Sequence, residues 1–401
     1  MPTEILQLLG YDGPNLHGPR PGVFMRVRSD RDRSRKLREA LKDGAQQAGM
    51  ELGYLEIDVE PAGDARTISV SFTTPTPAIG VELSRYAVEA LNRAEAGDEE
   101  WDAEGPLWDL AKRRRAEALP LQAVQLIAEA ASRGVPSLIR ADGRVQLGYG
   151  ARGWAFDPAQ PRGRTGADML SVDDIGIGAP RAAQPAPDVP WERIGPIPIV
   201  AVAGGAARDI GAKLIAATLR AQGVSLAAEA GFDETRGLLA DPSATLAVLG
   251  LTAEGIARRG LAFERCAYSA VVDLPSELPP EVSDRTELAR VLGVPMLITD
   301  PAGRVALSAD VPEIAALAEY APCPVIYISA SDANPIVGFH RAEGGQALFV
   351  RQGVAIAASG AAEQAVAAAT LPPDLLPGAL GGLALLWAMG LTWEQITGMA
   401  G

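Results

Sequence analysis

The chain has 401 residues, 48% of them apolar and 21% charged, enough to bury two or three cores, so intrinsic disorder and a fibrous chain are excluded. Lys and Arg number 36 against 50 Asp and Glu, and a net charge of −14 argues against nucleic acid as a partner, since that binding rests on neutralising phosphates. Two cysteines (Cys266, Cys323) and two histidines (His17, His340) are too few for a disulfide framework, a cysteine metal site or a histidine-pair mechanism.

Near the N-terminus, 22–28 alternates like a half-buried strand, and Ser29 is placed to cap a helix running to about Gly44 with Leu37 and Leu41 on one side. Segments 52–59 and 66–72 alternate again around a turn at Gly63-Asp64, and an amphipathic helix follows from Pro77 to about Asn92; together these predict a small α+β sandwich. Two short helices (107–119 and 121–133) and a compact hairpin (135–139 with 145–147) come next. Pro158, Pro161, Pro180, Pro185, Pro187 and Pro190 then mark a linker. Beyond it the pattern becomes strand and helix in alternation. Short apolar runs at 197–202, 245–249, 269–272, 296–299 and 325–329 read as buried parallel strands, with helices at 208–222, 252–259, 285–292 and 313–320 between them, which implies a doubly wound sheet. A hairpin (346–350 with 354–358) and an apolar helical tail (380–399) close the chain; Leu385 and Trp387 in that tail belong either to the core or to the surface of a larger assembly. The domain division is therefore 1–156, a linker at 157–196, and 197–401. No run of about 18 apolar residues lacks a breaker or a charge, and no basic-then-apolar leader is visible, so the chain is expected to be cytoplasmic and outside the membrane.

The chemistry of a doubly wound sheet belongs beyond the C-terminal ends of its strands, and a phosphate sits at the first strand-to-helix turn. Here that turn runs from Ala203 to Lys213 and departs from a working P-loop. With four residues intervening, Gly204 is followed by Asp209 and Gly205 by Ile210, where glycine is required; Lys213 comes about a helical turn late and no hydroxyl follows it. Asp209 suits the macrodipole at a helix start but repels a phosphate. The turn is thus either glycine geometry alone or a weak anion site built on Arg208 and backbone amides. His17 reads as a loop residue, His340 as surface and Cys266 as core.

The runs 195–204, 255–266 and 303–310 resemble the Mur-ligase-like half of cyanophycin synthetases, and Gly13-Pro-Asn-Leu16, Gly134-Val-Pro136 and 145–152 resemble their N-terminal domain. The resemblance implies an enzyme family that joins aspartate and arginine into a polymer through acyl phosphates, with ATP and magnesium. It also implies an ATP-grasp domain between Arg152 and Ile197, which about 45 residues cannot hold. Registered on Gly204, the family's phosphate loop places Arg208 at its lysine and Asp209 at its magnesium-binding threonine; its metal-site glutamate falls on Gly250, its Asp-His pair meets 274–280 without histidine, and its later lysine meets Val291 and Leu292. The third domain that Mur ligases use for the incoming amino acid is too short here.

The expectation is therefore an α/β protein with an N-terminal α+β domain and a Mur-ligase-like, mainly parallel sheet. It is a non-catalytic relative serving as an accessory or interaction subunit of an ATP-dependent peptide ligase, without cofactor or metal. Gly204, Gly205, Arg208, Asp209 and Asp310 form a vestigial nucleotide site, and Arg26, Arg28, Arg31 and Arg35 are candidates to hold carboxylates of a polymer or peptide. A homo-oligomer, or a complex with an ATP-grasp-containing cyanophycin synthetase-like ligase, is expected. The alternative is a Mur-type ATP-dependent carboxylate–amine ligase with an altered nucleotide site that uses ATP and magnesium.

Overall fold

A computed structural model describes residues 2–98, 100–158, 189–220, 224–368 and 371–398, so most of the expected linker lies outside the described residues. Contacts divide the chain into two compact units, one of Met1–Ala118, Pro198–Thr235 and Leu246–Gly401, the other of Leu119–Ile197 with Arg236–Thr245.

The first unit opens with strands β1 (Glu4–Tyr11) and β2 (Gly22–Ser29), helix α1 (Ser34–Ala48), strands β3 (Leu55–Ala62) and β4 (Ala65–Thr73), and helices α2 (Pro77–Ala96) and α3 (Glu104–Glu117). The strands form an antiparallel sheet in the order β1-β2-β4-β3. Val23, Met25 and Val27 of β2 alternate toward Leu37 and Leu41 of α1 and Ile79 and Leu83 of α2, closing one core. Strand β1 escapes the period-two reading because a register shift between Ile5 and Gln7 breaks its alternation. Ser29 does not cap α1; the helix begins at Ser34, whose amide is accepted by Asp32. Helix α3 starts earlier than its apolar pattern suggests because the Asp102 carboxylate accepts the amides of Glu104 and Gly105.

The second unit contains α4 (Leu121–Ser132) and an antiparallel sheet of β5 (Ser137–Ile139), β6 (Val145–Leu147) and β7 (Trp154–Phe156). Leu126, Val145, Leu147 and Phe156 make its core. Gln146 is buried there, its amide donating to the carbonyls of Gly148 and Leu239.

The rest of the chain follows a strand–helix alternation: β8 (Ile199–Ala203), α5 (Ala207–Thr218), β9 (Val224–Ala227), α6 (Phe232–Ala240), β10 (Leu246–Leu251), α7 (Ala253–Arg259), β11 (Cys266–Val271), α8 (Arg285–Leu292), α9 (Val294–Leu297), β12 (Thr299–Ser308), α10 (Pro312–Ala315), β13 (Val325–Ser329), α11 (Pro335–Ala342), β14 (Gln346–Arg351), β15 (Val354–Ser359), β16 (Ala362–Ala368), α12 (Leu376–Ala388) and α13 (Trp393–Gly398). The sheet order is β16-β15-β14-β13-β12-β11-β8-β10-β9, parallel from β9 to β14, with β15 and β16 antiparallel. The chain goes from β8 to β9 and β10 on one side and to β11 on the other, so the strand order reverses beside β8, and ligands of such sheets bind at that reversal.

The strand expected at 296–299 is instead the short helix α9, because Pro295 sits in its first turn, where proline favours a helix start. The buried strand falls on Val305–Ser308 of β12. Helix α5 ends at Thr218, earlier than expected. Helix α12 lies in the interior, with Leu380, Ala384, Leu385 and Leu386 at 0–1% exposure. It crosses α5 closely: a Cβ on Gly378 would overlap the Ala207 carbonyl, and Gly382 lies against Gly211. Leu385 is thus core, while Trp387 is half-buried and stacks at a tilt on Trp393. Among the described residues no helix is long and apolar enough to cross a membrane.

Candidate functional site

Strand β8, Ile-Val-Ala-Val-Ala, is buried along its whole length and delivers the turn at Gly204 to the sheet edge where the strand order reverses. Gly204 has φ 159 and Gly205 leads into α5. The amides at the start of α5 are not free. Asp273, two residues after the end of β11 on the neighbouring strand, accepts the Gly205 N–H through Oδ1 at 2.7 Å and lies 3.5 Å from the Ala207 nitrogen through Oδ2. A Cβ at Gly204 or Gly205 would collide with this carboxylate, which explains both glycines. Burial pushes the Asp273 carboxyl above its ordinary range, while the two amides and the nearby Arg208 charge pull it back.

Arg208 is buried, 8% exposed, and turned onto its own chain. One guanidinium nitrogen donates to the Gly205 carbonyl, another lies 3.6 Å from Glu229, and Nε lies 3.5 Å from the Asp209 carboxylate. Arg208 Nε and Asp209 Oδ1 face each other in that ion pair, and neither has a hydrogen-bond partner besides. Lys213 faces solvent further along α5.

The other positions singled out in sequence do not converge on this turn. Asp310, at the end of β12, accepts from the Ser329 hydroxyl (2.6 Å), the Asn334 amide (2.9 Å) and the Ala330 N–H (2.7 Å), and so braces the loop after β13. Gly250 on β10 has no room for a side chain, because a Cβ there would fall inside the Ala228 carbonyl oxygen. Val291 and Leu292 of α8 are buried core. At the positions where the resemblance implies ATP and magnesium, the amides hold a carboxylate, the arginine is turned back onto its own chain, and Gly250 leaves no room for a side chain.

The four arginines expected to hold carboxylates each face an acid of the same chain. Arg28 pairs with Glu4 (2.6 Å), Arg31 with Glu95 (3.0 Å), Arg35 with Glu39 (2.9 Å), and Arg26 lies 3.9 Å from Glu287 and over the Phe24 ring. Glu95 also takes the buried Arg33 and Lys36, and hydrogen bonding from Arg33 above all holds its carboxyl down at about 2. His17 is a loop residue stacked flat on Phe24 with ring centroids 4.1 Å apart. His340, expected at the surface, is half-buried, its ring edge-on to Tyr327 and its Nε2 3.2 Å from the Val325 carbonyl. Cys266 is core, and burial pushes its thiol up to about 12.

Two of the family-like motifs touch each other. The Leu261 N–H donates to the Pro14 carbonyl, the Asp12 N–H to that of Arg259, and Arg259 pairs with Asp12 (2.6 Å) and Asp233 (2.8 Å). Gly13-Pro-Asn-Leu16 and 255–266 thus form the seam between the antiparallel sheet and α7. The residue that sequence reasoning missed is Asp273. Its signal was position alone, an acid at the end of a buried strand adjoining β8.

Comparison with known proteins agrees with this picture in part. The N-terminal third is similar to cyanophycin synthetase: the chain is 31% identical over 143 residues to that enzyme from Synechocystis sp., covering 35% of this chain and 16% of the relative. It is 32% identical over 118 residues to the enzyme from Crocosphaera subtropica, covering 29% of this chain and 14% of the relative. The chain thus spans a small fraction of the curated relatives it matches. Among solved structures, MurF from Acinetobacter baumannii aligns with 51% of this chain and 45% of its own, at 11% identity and a TM-score of 0.39. The family model described as Domain of unknown function (DUF4938) matches residues 2–328, most of the chain, and the protein belongs to that family.

Proposed function

We propose that this protein is a non-catalytic relative of cyanophycin synthetase that serves an ATP-dependent peptide or amino-acid ligase as an accessory or interaction subunit, its parallel sheet kept as Mur-ligase-like scaffold. The observation that carries this reading is the Asp273 carboxylate seated on the Gly205 amide at the start of α5. Phosphoryl transfer is driven by cations and donors that stabilise the moving phosphate, and an anion fixed in that seat opposes it. Gly250 strengthens the reading, since a metal-binding side chain cannot be restored there without moving the Ala228 backbone. The reading assigns no catalytic residue and no metal ligand.

Its partner is a second copy of the chain or a ligase that carries an ATP-grasp domain. Arg26, Arg28, Arg31 and Arg35 are the residues that would meet carboxylates of a peptide product, exchanging their present acidic partners for those of the ligand. The test has two parts. The purified chain incubated with Mg-ATP, aspartate and arginine releases no phosphate, and co-expressed with an ATP-grasp ligase it elutes with that ligase in size exclusion. Phosphate release that depends on an amino acid contradicts the proposal.

A further inference from the structure

Val23 of β2 and Phe72 of β4 turn into the core beneath α1 and α2, so their neighbours along the strands belong to the opposite face of the antiparallel sheet. At one end of that face lies a cleft. Tyr11 of β1, Ser71 and Thr73 of β4 and Tyr54 just before β3 line it together with His17 and Arg20 from the loop between β1 and β2. That loop is tied by Asn15, itself 4% exposed: its Nδ2 donates to the Gly13 and Arg20 carbonyls and its Oδ1 accepts the His17 N–H.

Two independent observations point to a ligand here. Tyr11 is 4% exposed and lines the cleft, yet its hydroxyl makes no hydrogen bond among the described residues, and a polar group buried without a partner carries a cost that a ligand relieves. The cleft is also flanked by two exposed charges of opposite sign that lack ion-pair partners among the described residues, whereas Arg26, Arg28, Arg31 and Arg35 each have one. One is Arg20. The other is Glu56, which stands opposite Ser71 across β3 and β4, so that its side chain shares this face, and which lies beside Tyr54. Burial pushes the Tyr11 hydroxyl up and the His17 imidazole down to about 4, so near pH 7 both offer uncharged hydrogen-bonding groups.

We infer that this cleft binds the dipolar head of a free α-amino acid, with Arg20 for the carboxylate, Glu56 for the ammonium, and Tyr11 and His17 for the remaining hydrogen bonds. The enclosed part of the cleft measures about 10 Å³, the room of one water-sized group, so only the head enters and the side chain stays in solvent. Discrimination among amino acids is therefore weak. Loss of either head charge is costly, because it leaves Arg20 or Glu56 unpaired at a site already partly desolvated. The inference does not depend on how the turn at the start of α5 is read.

Calorimetric titration of the full chain at pH 7 with glycine, alanine and serine tests it. Each is expected to bind at one site per chain with a Kd of about 1–10 mM, within about threefold of one another. N-acetylglycine, which lacks the ammonium, and glycinamide, which lacks the carboxylate, should each bind at least about tenfold more weakly. R20Q and E56Q alter exposed positions and should each weaken glycine at least about tenfold, with unfolding temperatures close to that of the wild type. Y11F should weaken glycine severalfold, measured after its folded state is verified by circular dichroism. Absence of saturable binding by all three amino acids overturns the inference, as does N-acetylglycine or glycinamide binding as tightly as glycine, or R20Q and E56Q binding glycine like the wild type.

Discussion

At Gly250, any side chain must push β10 away from the Ala228 carbonyl, so Gly250→Ala is expected to cost about 1–3 kcal/mol in urea unfolding, a typical penalty for overpacking a rigid backbone contact. Glu95 makes the opposite kind of prediction. Its carboxyl, ordinarily near 4.5, is held at about 2 by Arg33, with Arg31 and Lys36 adding charge. The unfolded chain therefore takes up the proton first, and the stabilisation is complete above about pH 4.5 and is lost as pH falls toward about 2. E95Q should flatten that acid limb and destabilise at neutral pH by about 1–2 kcal/mol, since solvent reaches the outer cations of the cluster. His17 has the same sign in a higher window: burial holds its imidazole at about 4 against an ordinary 6.5, so it is neutral in the fold and favours unfolding as pH drops through that interval. The residue is exposed to solvent on the side away from Phe24, and water there keeps this contribution small. At this scale the sequence made Arg208 and Asp209 legible, because their offset from glycine is countable. Asp273 was not, because it reaches the turn from a strand nearly seventy residues away, joined only by sheet order.

Among the elements, the strands buried on both faces were readable wherever a run of Val, Ile and Leu stood between breakers, as at β8 and β13. Strands β9 and β16 were not, one short and one mostly alanine, and neither carries enough branched side chains to announce itself. The stretch at 294–297 failed for another reason: four apolar residues suit a strand or a helix equally, and Pro295 decided for the helix. The apolar tail was legible as buried but not as buried where. Helix α12 covers α5 and the middle of the sheet through Gly211, Gly378 and Gly382, which let the two backbones approach. Leu385→Ala is expected to cost about 2–5 kcal/mol, the range for a fully buried leucine. Gly378→Val should also shift the start of α5, and hydrogen exchange at the Ala207 and Arg208 amides would report it as lost protection.

For the whole molecule, the alternation of strands and helices made the parallel sheet foreseeable, and the glycine-rich motifs marked real close approaches. Motif likeness alone did not say what those motifs do: 13–16 and 255–266 join the antiparallel sheet to α7 through Asp12 and Arg259. Gly204 and Gly205 follow the end of β8, and there the Asp273 carboxylate accepts the Gly205 amide. A calorimetric titration of the wild-type chain with Mg-ATP at millimolar concentration tests most directly whether the turn at Gly204 is closed to nucleotide. No heat of binding above dilution is the predicted result; saturable binding with one nucleotide per chain would contradict it.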